Sequence, residues 1–239
     1  MSSAPQIKRL AKPLLQRHND LIMATGNIMA YLPVTHWNPY IRIHNRPKRG
    51  NFTVDWWVDT RFEPGHYAFI SRIGACSLIG RSLKYRPRGR TGLFEWDDPT
   101  MPGDFIDQVE ARILPVFSSL DTLEKTIAHL RAHQHNSFAE HPPWKTLMHV
   151  ALGEIPAAQA EWRNVMHNYV PRTTLSDPSR NYVYDQWCLL TEPLMAGDRA
   201  ALARLPHGWE AENTIGTNLE PYWRSTPFPL EHTHWGMVG

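Results

Sequence analysis

Phe52-Thr53-Val54-Asp55-Trp56-Trp57-Val58-Asp59 alternates apolar and polar residues over eight positions, and Tyr40-Ile41-Arg42-Ile43-His44 alternates just before it. A period of two puts successive side chains on opposite faces of a strand. The two runs, parted by the turn-rich stretch 45–51, therefore predict an antiparallel hairpin. Phe52, Val54, Trp56 and Val58 share one face and are expected to line the core, which leaves Trp57 as the odd large ring among Thr53, Asp55 and Asp59.

Working outward, residues 21–24 and 28–32 read as two short strands about a Thr25-Gly26-Asn27 turn. Residues 67–73 and 75–83 add strand-like stretches in which Gly74 and Gly80 mark bulges or turns. An antiparallel sheet of four to six strands is expected. In front of it, Ile7, Leu10, Ala11, Leu14 and Leu15 recur at helical spacing, with Ser3 as N-cap and Pro13 expected to bend or shorten the helix. Behind it, Phe105, Val109, Ile113 and Phe117 set a helical period that Pro115 kinks or closes. Ser118-Ser119-Leu120-Asp121 has capping-box-like spacing and opens a helix carrying Leu123, Ile127 and Leu130.

The polar stretch 133–143 ends in Pro142-Pro143 and is the expected boundary of a first unit. Past it, Met148 to Glu154 followed by Pro156 to Ala160, and Leu194 to Asp198 followed by Ala200 to Ala203, both read as helix, glycine stop, helix. The expected fold class is α+β: an antiparallel sheet flanked by helices, then a mainly helical second half with helical hairpins. The units are residues 1–135 as the sheet domain, 142–205 as the hairpin region, and 206–239 as an extended Pro/Gly/His-rich segment.

Composition bounds the function. Apolar residues make up 42% of the chain and charged residues 20%, with 10 Trp, which is the profile of a folding chain rather than a disordered one. The first twelve residues carry Lys8, Arg9 and Lys12 but no apolar core of a signal peptide, and no run of 18 apolar residues follows. A cytoplasmic protein without a membrane span is expected. Cys76 and Cys188 read as small core residues rather than a disulfide. Net charge is only +2, yet 15 Lys and Arg face 7 Asp and Glu up to Thr100, against 10 and 16 afterwards.

The order of elements over residues 1–135, with the Ile7 to Leu15 helix, the strand ending in Phe52-Thr53-Val54-Asp55-Trp56, the Trp96-Asp97-Asp98 passage and the helix pair ending near Leu130, resembles small uncharacterised bacterial helix–sheet–helix domains. Some of those sit beside toxin-immunity and defence genes. The chain departs from them in lacking a glycine-rich entry to the first strands and in carrying a second, helical half. The resemblance implies a protein-binding role of immunity or accessory type and identifies no site.

Nucleophile elbows, phosphate-cradling glycine loops, zincin helices and paired zinc cysteines are all missing, which argues against the common hydrolase and nucleotide-binding classes. His129, His133, His135 and His141 form the densest imidazole cluster, but Leu130 stands where a metalloprotease helix needs its glutamate. A solvated helix end is expected there. Glu231, His232 and His234 read as an exposed tail. Glu95, Asp97, Asp98 and Asp104 could hold magnesium or act as acid and base, but two of the four flank the turn Pro99 to Gly103, where Asp serves the backbone. No metal and no cofactor are expected.

The basic residues carry the strongest polar signal. Arg81, Lys84, Tyr85, Arg86, Arg88 and Arg90 form one run, and Arg42, Arg46, Lys48 and Arg49 another across the first hairpin. From these, with Trp57 and without Arg42, comes the expected partner-binding set: Arg46, Lys48, Arg49, Arg81, Lys84, Tyr85, Arg86, Arg88, Arg90 and Trp57. The expected function is a non-catalytic binding protein with an acidic protein partner. The alternatives are a nucleic-acid binder using the basic loop, and an enzyme of unfamiliar type using the carboxylates or histidines.

Overall fold

The computed structural model describes residues 4–46, 50–64, 77–83, 94–132, 142–168 and 178–232. A first helix, α1 (Ala4–Arg17), leads into strands β1 (Leu21–Thr25), β2 (Ile28–Tyr31), β3 (Trp37–Arg46), β4 (Asn51–Thr60), β5 (Ser77–Leu83) and the two-residue β6 (Phe94–Glu95). The sheet is antiparallel in the order β1-β2-β3-β4-β5, and β6 pairs with β4 beside β5.

The hairpin of β3 and β4 is the spine. Its register runs without a slip from Trp37 opposite Thr60 to Arg46 opposite Asn51, so the alternation in the sequence is carried intact into two faces. On the first face Leu21, Met29, Ile41, Ile43, Phe52, Val54, Trp56 and Val58 are buried. They pack in one cluster with Ile7, Leu10, Ala11 and Leu14 of α1. Pro13 lies inside α1 without shortening it, since the helix continues to Arg17. The irregularity between β4 and β5 falls at Val58/Asp59; Gly80, expected to mark a bulge or turn, pairs in register with Trp57. The expected strand at 67–73 lies outside the described residues.

Behind the sheet, α2 (Met101–Gln108), a π turn (Val109–Ile113) and α3 (Leu114–Ser119) follow without a break. Phe105, Val109, Ile113 and Phe117 are all buried, although a spacing of four drifts about 40° per step round an α-helix. The π turn absorbs that drift: the Leu114 N–H reaches the Val109 carbonyl, five residues back. It also falls next to Pro115, which has no N–H to give to the preceding turn.

Ser118 and Ser119 do not open the next helix. Their hydroxyls donate back to the carbonyls of Leu114 and Val116, and it is Thr122 Oγ1 that accepts the Lys125 N–H at the start of α4 (Leu123–Ala132).

The second half is helical: α5 (Pro142–Ala151), α6 (Ile155–Asn168), α7 (Pro178–Cys188), α8 (Thr191–Ala196) and α9 (Arg199–Thr214). Both expected glycine stops are left-handed, Gly153 at φ 75° and Gly197 at φ 67°. Each helix end closes with the same two bonds. Gly153 and Glu154 N–H reach the carbonyls of Val150 and His149, as Gly197 and Asp198 reach Leu194 and Pro193. Asp198 then caps α9 by accepting the Ala201 N–H. Buried indoles find acceptors across the helices, Trp162 on Thr191 and Trp209 on Gln186.

The extended C-terminal segment begins after Thr214, not at Pro206. Pro206 costs α9 one backbone bond but is buried beside Leu202, Ala203 and Trp209 on the packed side, and that burial outweighs the loss. Residues from all three expected units, from Ile7 to Leu230, share one apolar cluster. No helix among the described residues is long and apolar enough to cross a membrane.

Candidate functional site

The sheet's second face is where the predicted aromatic lies. The register places Ile22, Ala30, Tyr40, Trp57 and Gly80 in one row across all five long strands. At the β1–β2 end this face is covered by the C-terminal segment, whose Leu219 and Trp223 pack with Ile22, Ala24, Ile28 and Ala30. In the middle stands the half-buried Trp57. Its ring lies 5.5 Å from that of Tyr40 and 5.7 Å from that of His44, with the Arg42 guanidinium 5.7 Å from its centroid. His44 Nε2 sits 3.0 Å from Asp55 Oδ2.

The strands' ends bear on the two basic runs. Arg46 ends β3 opposite Asn51, Leu83 ends β5 opposite Val54, and Phe94 begins β6 opposite Phe52. The described flanks of stretches 47–49 and 84–93 thus lie at one end of the sheet. Arg46 falls on the row positions of Trp57's face, whereas Arg81, opposite Trp56, falls on the other. Lys48, Arg49, Lys84, Tyr85, Arg86, Arg88 and Arg90 lie outside the described residues.

At the opposite end of the sheet a second constellation forms from residues far apart in the chain. His36, just before β3, is 4% exposed and places Nδ1 2.8 Å from Oε2 of Glu210 on α9, which is fully buried. The other oxygen of Glu210 accepts the Trp223 indole N–H at 2.6 Å. His36 Nε2 is 3.1 Å from the hydroxyl of the half-buried Thr226, and Phe228 stacks on the imidazole at 3.9 Å. Alongside, His207 Nε2 meets Glu231 Oε2 at 2.8 Å, and the Phe228 N–H donates to that same oxygen. Burial pulls the Glu231 carboxyl up, but the Phe228 amide, His207 and the more distant His36 outweigh it and hold it below the usual carboxylate range. Glu231 and His232 are exposed, as the sequence suggested, but the Glu231 carboxylate is tied to His207 and to the Phe228 amide; His234 lies outside the described residues. Below, Asn213 clamps the chain leaving β4, donating to the carbonyls of Arg61 and Glu63 while Arg61 donates to the Asn213 carbonyl.

The remaining candidates do local work. Asp98 accepts both the N–H and the hydroxyl of Thr100, an Asx turn ahead of α2. His129 is half-buried on α4; His133, His135 and His141 lie outside the described residues, among which no group of three metal-ligating side chains occurs. Cys188 is half-buried at the end of α7 rather than in the core, and Cys76 lies outside the described residues. Glu110, in the π turn, accepts from His18 at 3.0 Å and Arg17 at 3.2 Å, and these partners hold its carboxyl low.

No family model, no curated protein and no solved structure matches this chain.

Proposed function

We propose that the chain is a binding protein whose working surface is the basic end of the sheet, and that the surface takes an acidic face of a protein partner. One observation carries the reading. The flanks of stretches 47–49 and 84–93 meet at one end of a rigid sheet, and these stretches with Arg46 hold seven Lys and Arg and no carboxylate. Segments of like charge add little to their own chain's stability, whereas loops set on a rigid sheet are where binding groups gather. Trp57, Tyr40 and Arg42 belong to the residue types that anchor interfaces. The resemblance to domains found near toxin-immunity genes points to the same role.

The test is the triple reversal Arg86→Glu, Arg88→Glu, Arg90→Glu in the full chain. The expected outcome is a nearly unchanged melting temperature with loss of partner capture from the host lysate. Unfolding of the variant would mean that the run is paired within the chain and would sink the proposal. Nucleic acid is the second reading, favoured by the Arg42–Trp57–Tyr40 grouping, since aromatic rings beside cations stack bases. Capture that vanishes on nuclease treatment, with affinity falling steeply as salt rises, would select it.

A further inference from the structure

We propose that Glu210, His36 and Thr226 form an acyl-transfer site, with Thr226 as the nucleophile toward activated carboxylic esters. The site lies at the far end of β3 from Arg46, ten residues or about 33 Å along the strand. It is independent of the binding surface. Three features carry the inference.

The first is the order of groups. A carboxylate, an imidazole and a hydroxyl stand in line at 2.8 and 3.1 Å, the spacing at which a base, oriented by a third group, takes a proton from a nucleophile. The second is the tautomer. The Trp223 indole can only donate, so Glu210 accepts at Oε1. With Glu210 ionised and the imidazole neutral, the state this reaction requires, His36 Nδ1–H donates to Oε2 and the Nε2 lone pair faces the Thr226 hydroxyl. The third is the gradient of burial: Glu210 is fully buried, His36 almost so, and Thr226 half-buried. The line thus runs from the interior to a residue that solvent partly reaches. Phe228 stacked on the imidazole and Phe62 packed against it fix the orientation of the ring.

The step balances with an ester as the only co-reactant. Thr226 Oγ1 attacks the carbonyl carbon as its proton passes to His36 Nε2, and the carbonyl electron pair moves onto oxygen. Collapse expels the alcohol, which takes the proton from the imidazolium and leaves an acyl-threonine. Water, deprotonated by His36, repeats the sequence, releasing the acid and free Thr226.

Two measurements on the full chain decide it. Incubation with an alkyl fluorophosphonate, which loses fluoride when a nucleophilic oxygen attacks phosphorus, should add one phosphonyl mass to the peptide bearing Thr226. Hydrolysis of p-nitrophenyl acetate should fall at least about 100-fold in Thr226→Val and in Glu210→Gln, and persist in Thr226→Ser, which keeps the hydroxyl. Wild-type protein that takes no label, or is labelled elsewhere, overturns the proposal. Turnover unchanged in Thr226→Val overturns it too. Should Glu210→Gln fail to fold, the wild-type label and the two Thr226 variants still decide.

Discussion

Replacing Trp56 and Trp57 one at a time by alanine tests the register on which both faces of the sheet depend. Trp56 is 6% exposed, pairs across the strands with Ile41 and meets Phe117 edge-on at 5.7 Å. Its removal opens a cavity between the sheet and α3, where neither wall can collapse, and should cost about 3–5 kcal/mol. Trp57 is only half-buried. What it loses is an aromatic pair with Tyr40, worth about 0.5–1.5 kcal/mol, and a cation–π contact with Arg42, worth about 0.5–1 kcal/mol at an exposed site. The sum is about 1–2.5 kcal/mol. Urea unfolding monitored by far-ultraviolet circular dichroism should separate the two variants by about 2 kcal/mol at equal m-value. If Trp57→Ala proves as costly as Trp56→Ala, the faces are exchanged, because a slip of one residue moves every side chain of a strand to the other side.

Two further outcomes follow from the helical half. Gly197→Ala meets nothing within 4 Å and should cost only the left-handed penalty of about 1 kcal/mol, whereas a Cβ on Gly153 would lie 2.8 Å from the Arg199 guanidinium and 3.2 Å from Leu230 Cα. Gly153→Ala should therefore cost about 2–3 kcal/mol in the same unfolding assay. Acid should destabilise the fold through Glu154 and Glu231. The Arg131 guanidinium, helped by His149, outweighs burial and holds the Glu154 carboxyl low, as the Phe228 amide and His207 do for Glu231. The unfolded chain regains ordinary carboxylate values, so the contribution is complete above that range and is lost as pH falls through the lower folded values. Glu154→Gln should flatten the acid limb of the melting temperature against pH, by a small and salt-sensitive amount, since the Arg131–Glu154 pair is 38% exposed on each side.

What was legible in the sequence is what local spacing determines. A period of two over residues 52–59 yields β4, its core face and the half-exposed place of Trp57 without any knowledge of the rest. Gly153 and Gly197 could be read as helix stops because a left-handed residue is a local requirement. The π turn was not legible, since four-residue spacing alone does not distinguish a drifting α-helix from a locally widened one. Nor was the helix through Pro206: the proline's local cost is plain, while the burial that offsets it is set by the elements packed against α9. The face of Arg81 depended on pairing with β4, which no feature of 77–83 discloses.

The imidazole–carboxylate constellation shows where such reading stops. His36 and Glu210 are 174 positions apart, and neither stands in a motif, because a relay of three side chains needs only that their tips converge. One trace of it was nevertheless local. Leu202, Pro206, Trp209, Glu210 and Asn213 fall on one stripe of α9 at helical spacing, and all are buried. A carboxylate and an amide on an otherwise apolar stripe must meet partners inside the fold, since burying them unpaired would cost several kcal/mol. Asn213 meets the backbone of the chain leaving β4, which is a structural tie. Glu210 meets an imidazole and an indole, and only the imidazole can pass a proton on. That difference between two neighbours on one stripe is why the search for chemistry leads to Glu210 and, through His36, to the hydroxyl of Thr226.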